Sequence, residues 1–290
     1  MDNLLKSISL GNIIGLGESS HGSKDEFEQK YTLILNTIKS KPDSKFVCYF
    51  EAYEDCFSES SIEPGNSSSP LKRQVDRYLD QMYAIWKTKE TYDFLLEILK
   101  LNVFEKRDIK IIGIDFRNKE HKQSFSTTDE MLKVRDRYMF ENIKKTYCSD
   151  AIHFVTAHNA HIGRYNTEDH NSIGYFLDQE FKDIYIPVAQ HASRGHVRAK
   201  WNGGDYQPVD LKYDSIPGSV TLLANTVFLE KVQKDRPLVF NTSESVFEGI
   251  DSIQQAGFYL PLEKPWIMPF GKQYFDYLIL HPKSKPAESL

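Results

Sequence analysis

Residues 12–40 read NIIGLGESSHGSKDEFEQKYTLILNTIKS. The apolar run over 12–17 reads as a strand ending in glycine. After a polar turn, Phe27, Tyr31, Ile34 and Ile38 recur at helical spacing, which predicts a helix over 22–40. The same rhythm repeats outward. Short β-rich runs stand at 45–51 (KFVCYFE), 108–115 (DIKIIGID), 151–157 (AIHFVTA) and 183–191 (DIYIPVAQH). Helical patterns separate them at about 71–85, 88–103, 127–147 and 171–182, with Met131, Val134 and Tyr138 on one face of the third. Strand–helix alternation with right-handed crossovers gives an α/β fold, a mainly parallel central sheet flanked by helices. Its active-site cleft is expected at the C-terminal strand ends.

Beyond residue 192 the rhythm weakens. Loops and a hairpin are expected over 201–219, with later strands at 238–241 and 274–281. The polar stretch 59–70 (ESSIEPGNSSSP) opens a helical excursion over 59–105 rather than a domain boundary. The polar tail over 282–290 is expected to fray. We read residues 1–290 as one domain.

The 290 residues are 40% apolar and 27% charged, an ordinary globular balance, with a net charge of −5. That charge speaks against nucleic acid as a partner. The three cysteines, Cys48, Cys56 and Cys148, form no spaced set and read as reduced thiols. No apolar run approaches the roughly 20 residues of a membrane span, and no basic leader precedes one, so the expected location is cytoplasmic with no membrane partner.

The expected strand ends carry an unusual set of ionisable groups. Strand one runs into Gly17-Glu18-Ser19-Ser20-His21-Gly22 and strand two ends in Glu51. Strand three ends in Asp115, strand four in His158-Asn159-Ala160-His161 with Arg164 beyond, and strand five in His191. Any one of these alone reads as a solvated loop end; together they read as one active site. His21 precedes a helix whose positive end disfavours an imidazolium, and Glu18 lies close enough in sequence to orient the ring, which makes a general-base pair. The alternative is a histidine that merely caps the helix. His158 and His161, three residues apart, suit oxyanion stabilisation, substrate binding or metal ligation, or form a structural pair.

Rival chemistries fail on pattern. No G-x-S-x-G elbow, complete G-x-G-x-x-G fingerprint or Walker A run is present, and H-E-x-x-H is absent. We expect no cofactor and no required catalytic metal. Trp86 and Glu90, one helical turn apart, line the pocket or simply pack. Arg135, polar beside apolar helix positions, is placed to buttress Glu51 or Asp115 by a bidentate pair. Trp201 and Tyr206 are candidates for covering a substrate. His121, His153, His170 and His281 read as structural or surface residues.

The segment Gly17-Glu18-Ser19-Ser20-His21-Gly22 with Glu26-Phe27 resembles the G-E-x-[ST]-H-G-x-x-E-F opening of the erythromycin esterase family. The likeness continues in order through Phe50-Glu51, Trp86-Lys87-Thr88-Lys89-Glu90, Gly113-Ile114-Asp115, the helix Arg135-Asp136-Arg137-Tyr138-Met139-Phe140-Glu141-Asn142, and Ala157-His158-Asn159-Ala160-His161. It spans about 15–190. The resemblance implies His21 as the base that activates water, Glu18 beside it, His158 and His161 in the same cleft, and Glu51 as a further active-site acid. Lys30 stands where the esterases carry an Arg; it keeps the charge and loses the bidentate fork. The chain is also shorter than the antibiotic-inactivating members, so poor hydrolysis of a macrolactone is expected.

The leading expectation is a hydrolase acting on an ester or related carbonyl bond of a small-molecule or peptide substrate. His21 is the base, and His158 or His161, with Arg164, stabilises the oxyanion. Two alternatives use the same cleft: acid–base tailoring by elimination or cyclisation, and non-catalytic ligand or metal binding.

Overall fold

The computed structural model describes residues 2–57, 69–116, 128–167, 171–192, 194–201, 205–212, 219–221, 223–224, 236–255, 259–260 and 266–290. Most of the expected loop over 59–70, His121, His170 and the side chain of Trp201 lie outside them. After a short α1 (Asp2–Ser7), β1 (Ile13–Leu16) is buried along its whole length. The chain then turns through His21 into α2 (Lys24–Ser40). Ser23 caps that helix, its hydroxyl accepting from the Glu26 amide, and Asp25 and Glu26 complement the positive end. Gly22 has φ +94° and lies against the Arg198 carbonyl, so a side chain there would be strained and would clash.

The remaining elements follow as β2 (Lys45–Tyr53), α3 (Ser69–Gln81), α4 (Lys89–Glu105), β3 (Ile109–Asp115), α5 (Thr128–Thr146), β4 (Ala151–Thr156), α6 (Asn159–Ile162), α7 (Ile173–Phe181) and β5 (Tyr185–Ala192). Then come β6 (Arg194–Trp201), β7 (Tyr206–Lys212), β8 (Leu238–Asn241), β9 (Ser252–Gln255), β10 (Tyr259–Leu260), β11 (Trp266–Pro269) and β12 (Tyr277–His281). The central sheet has seven strands in the order β3-β2-β4-β1-β5-β12-β8. All its pairings are parallel except that of β8 with β12. Alternation along the strands builds two cores. Phe46, Cys48 and Phe50 pack with Phe27, Ile34 and Leu95 on one face. Val47 and Tyr49 pack with Met139, Ile143 and Leu177 on the other.

The chain leaves β1 towards β2 and returns from β4 to β5 on β1's other flank, so the carboxyl ends of β1 and β4 lie side by side where the winding reverses. Such a switch point is where α/β sheets bind ligands.

Two regions differ from expectation. The hairpin expected over 201–219 begins earlier: β6 and β7 pair antiparallel from Arg194 with Lys212 to Lys200 with Tyr206. The tail over 282–290 does not fray. The Ala287 amide donates to Gly22 O at 2.9 Å, the Lys24 amide to Lys285 O at 2.8 Å, and the Lys89 amide to Glu288 O at 2.8 Å. Ser284 Oγ donates to Ser23 Oγ at 2.8 Å, and Ala287 is buried in the first core. These backbone bonds and the buried methyl offset the ordering entropy that polar composition alone suggests would win.

Candidate active site

His21 sits on the loop between β1 and α2, with Nδ1 at 2.6 Å from Glu18 Oε1. The other Glu18 oxygen accepts from Lys30 Nζ, and both partners are buried. Lys30 reaches back from the second turn of α2 and also lies 5.7 Å over the Trp86 ring. With Nδ1–H held by a carboxylate, the neutral His21 ring carries its lone pair on Nε2. Glu26 fixes the loop from below: its carboxyl accepts from the Ser19 amide at 2.9 Å and from Ser19 Oγ at 2.6 Å. Burial pushes the Glu26 carboxyl up to about 7, against these hydrogen bonds.

His158 follows β4 and caps the four-residue α6. Its Nδ1 accepts from the Ala160 amide at 3.2 Å, so the neutral ring carries its proton on Nε2. The His21 and His158 ring centroids are 4.9 Å apart, and the Trp86 and His21 rings pack nearly perpendicular at 5.0 Å between centroids. One imidazole thus offers an acceptor and its neighbour a donor.

Beside this pair lies a buried charge network on α5. Arg135 donates from Nε and Nη2 to Asp115 Oδ2 at 3.0 and 2.7 Å, and from Nη2 to Glu51 Oε1 at 2.6 Å. Its Nη1 lies 3.3 Å from His161 Nε2. Tyr83 OH donates to the same Asp115 oxygen at 3.0 Å. His161 Nδ1 pairs with Asp136 Oδ1 at 2.7 Å. Burial alone would raise the Glu51 pKa, but the charges of Arg135, His161 and His21 outweigh it and hold the carboxyl well below the usual range. Burial alone would likewise lower the His161 pKa, but Asp136 and Glu51 outweigh it and raise it.

Glu18, His21, Lys30, Glu51, Trp86, Asp115, Arg135, His158 and His161 therefore meet at the ends of β1, β2, β3 and β4. Three expected site residues are placed differently. Glu90 accepts from the Glu288 amide at 3.2 Å and lies 3.7 Å from Lys24 Nζ, so it anchors the tail. Arg164 pairs with Asp178 at 2.6 Å and Asp276 at 2.9 Å, and donates to Tyr185 O at the start of β5, at the amino-terminal end of the strands and away from the cleft. His191 is buried in β5 with Nε2 at 3.0 Å from Thr221 Oγ1, and burial beside His281 pulls its pKa down to about 3. Asp136, Glu26 and Tyr83 were not anticipated as site residues. Asp136 and Glu26 stood inside the quoted motifs, and Tyr83 had no sequence signal. Among the described residues, no group of three or more His, Cys, Asp or Glu is arranged to hold a metal ion. No described helix is long and apolar enough to cross a membrane.

The sequence profile of the erythromycin esterase family matches residues 117–263. The chain belongs to the erythromycin esterase family. No curated protein matches it by sequence. Among solved structures, a Bacillus cereus protein aligns at 16% identity with a TM-score of 0.75, over 99% of this chain and 91% of that one. A succinoglycan biosynthesis protein aligns at 12% identity with a TM-score of 0.76, over 99% and 91%. A variant of the erythromycin esterase EreC, in its open conformation, aligns at 12% identity with a TM-score of 0.67, over 99% and 94%. These likenesses show the erythromycin esterase fold in this chain.

Proposed function

We propose that the protein is an ester hydrolase in which water is the nucleophile and His21 the base. The observation that carries this reading is the placement of the two rings: His21 Nδ1 lies 2.6 Å from Glu18, His158 Nδ1 accepts from the Ala160 amide at 3.2 Å, and the ring centroids are 4.9 Å apart. Nε2 of His21 takes a proton as water oxygen bonds to the carbonyl carbon. The carbonyl π electrons move to oxygen, where the His158 N–H receives the developing charge. Glu18 keeps His21 in the required tautomer and stabilises the imidazolium. When the tetrahedral intermediate collapses, the C–O bond to the leaving alcohol breaks and the imidazolium returns its proton to that oxygen. His161, with Nδ1 on Asp136 and Nε2 beside Arg135 and Glu51, is part of the charge network at this edge of the cleft, and Arg135 fixes Glu51 and Asp115 around it.

Membership of the erythromycin esterase family supports ester hydrolysis as the reaction class. The test is an ester panel followed by mass spectrometry. Products heavier than substrate by one water in total support hydrolysis. Products that conserve or lose mass, as in cyclisation or elimination, contradict it.

A further inference from the structure

Four of the described arginines are buried or half-buried, and three of them have carboxylate partners. Arg135 sets the Nε and Nη2 edge of its guanidinium against Asp115, and Arg164 divides its fork between Asp178 and Asp276. Arg198, on β6, is only 9% exposed and forms no ion pair with the described residues. Both of its side-chain hydrogen bonds leave from Nη1, to Ala84 O at 3.2 Å and Ile85 O at 3.4 Å. Its Nε is buried without a partner. The guanidinium lies 4.8 Å over the Tyr206 ring. Burial lowers its pKa from the ordinary value, with Tyr206 and Glu90 pulling the other way. Buried cations are ordinarily paired, so the unpartnered Nε, with Nη2 beside it, calls for a ligand. The Nε and Nη2 edge is the side-on fork that matches a carboxylate in two parallel hydrogen bonds.

Its position ties the fork to the active site. The Arg198 amide donates to Gly22 O at 2.9 Å, one residue after His21. Its Nη1 holds the carbonyls of Ala84 and Ile85, just before Trp86, whose ring packs on His21. The residue therefore bridges the two, its backbone bonded to the loop that carries the base and its side chain to the segment that carries the aromatic wall. We infer that Arg198 is a specificity residue that binds a carboxylate group of the substrate, so that the preferred ester carries an acid group beside its scissile bond. This rests on the hydrolase reading for its ester half only.

Two measurements test it. In the first, wild type, Arg198→Gln, Arg198→Lys and His21→Ala are titrated calorimetrically with benzoate and, separately, inorganic phosphate. Benzoate binding by wild type and His21→Ala, weakened at least about tenfold in both Arg198 variants, is expected for loss of a charge-assisted bidentate pair. Arg198→Lys keeps the charge and stem, so loss in that variant with an unchanged melting temperature reports the fork and not the fold. No benzoate binding, equal binding by folded Arg198 variants, or binding of phosphate alone overturns the assignment. In the second, mono-p-nitrophenyl succinate is compared with neutral p-nitrophenyl butyrate. The ratio of their kcat/KM values should favour the acid ester and fall at least about tenfold in Arg198→Lys. An unchanged ratio overturns the inference. If neither ester turns over while benzoate binding behaves as expected, the hydrolase reading fails and the carboxylate site stands.

Discussion

Glu18 holds His21 Nδ1 at 2.6 Å with one oxygen and Lys30 with the other, and both Glu18 and Lys30 are buried. The carboxylate thus has two tasks, orienting the base and neutralising a buried ammonium. They separate by substitution. Glu18→Gln should cut kcat by at least about a hundredfold, because an amide can present N–H to Nδ1 and favour the wrong tautomer. Lys30→Met leaves Glu18 as an uncompensated buried charge and should cost about 3–5 kcal/mol of stability. Steady-state kinetics and urea unfolding distinguish the two; a Lys30→Met protein as stable as wild type contradicts the buried pair.

Glu26 has the opposite pH sign from an ordinary ion-paired carboxylate. Its folded pKa is raised from 4.5 to about 7 by burial. Its contribution to stability is therefore fully present below about 4.5 and is lost as pH rises through about 7, by up to about 3 kcal/mol. Glu51, depressed in the folded state, acts the other way: its contribution is present above the ordinary carboxylate range and is lost only in strong acid. Wild-type urea midpoints should fall as pH rises across 4.5–7.5, and Glu26→Gln should lack this part of the fall. Identical pH dependence in both proteins contradicts the raised pKa.

The tail is part of the active-site support. Deleting residues 283–290 removes the bonds to Gly22 and Lys24 that flank the His21 loop. We expect kcat to fall by about tenfold or more while circular dichroism stays native, since small misplacement of a base is costly. Full activity in the truncated protein contradicts a positioning role.

Erythromycin should be a poor substrate. A large, mostly apolar ring needs broad apolar walls, and the described residues around His21 and His158 include Glu51, Asp115, Arg135, Asp136 and His161. Ring opening followed by mass spectrometry checks this. A kcat/KM of about 10⁴ M⁻¹s⁻¹ or more contradicts it.

Much of the fold was legible because the apolar runs and helical spacings over 12–192 are strong and local. The β6–β7 pair was harder to place: alternating polar residues from Arg194 onward look like loop until their partner strand is known. Among site residues, Arg135 was legible as a lone charge on an apolar helix face. His191 shows what sequence cannot supply. It lies one residue after Gln190, which donates to Glu26 O on the α2 side, and adjacent strand residues face opposite ways, so His191 meets Thr221 instead. Arg198 was silent because its unpartnered Nε is visible only once its neighbours are in place.

The central claim is that His21 is the base, and kcat/KM of His21→Ala on whichever panel ester the wild type hydrolyses tests it most directly. The account predicts a fall of at least about a hundredfold, as general-base catalysis supplies 10²–10⁴, with little change in melting temperature. A folded His21→Ala protein that hydrolyses the same ester at the wild-type rate would contradict it.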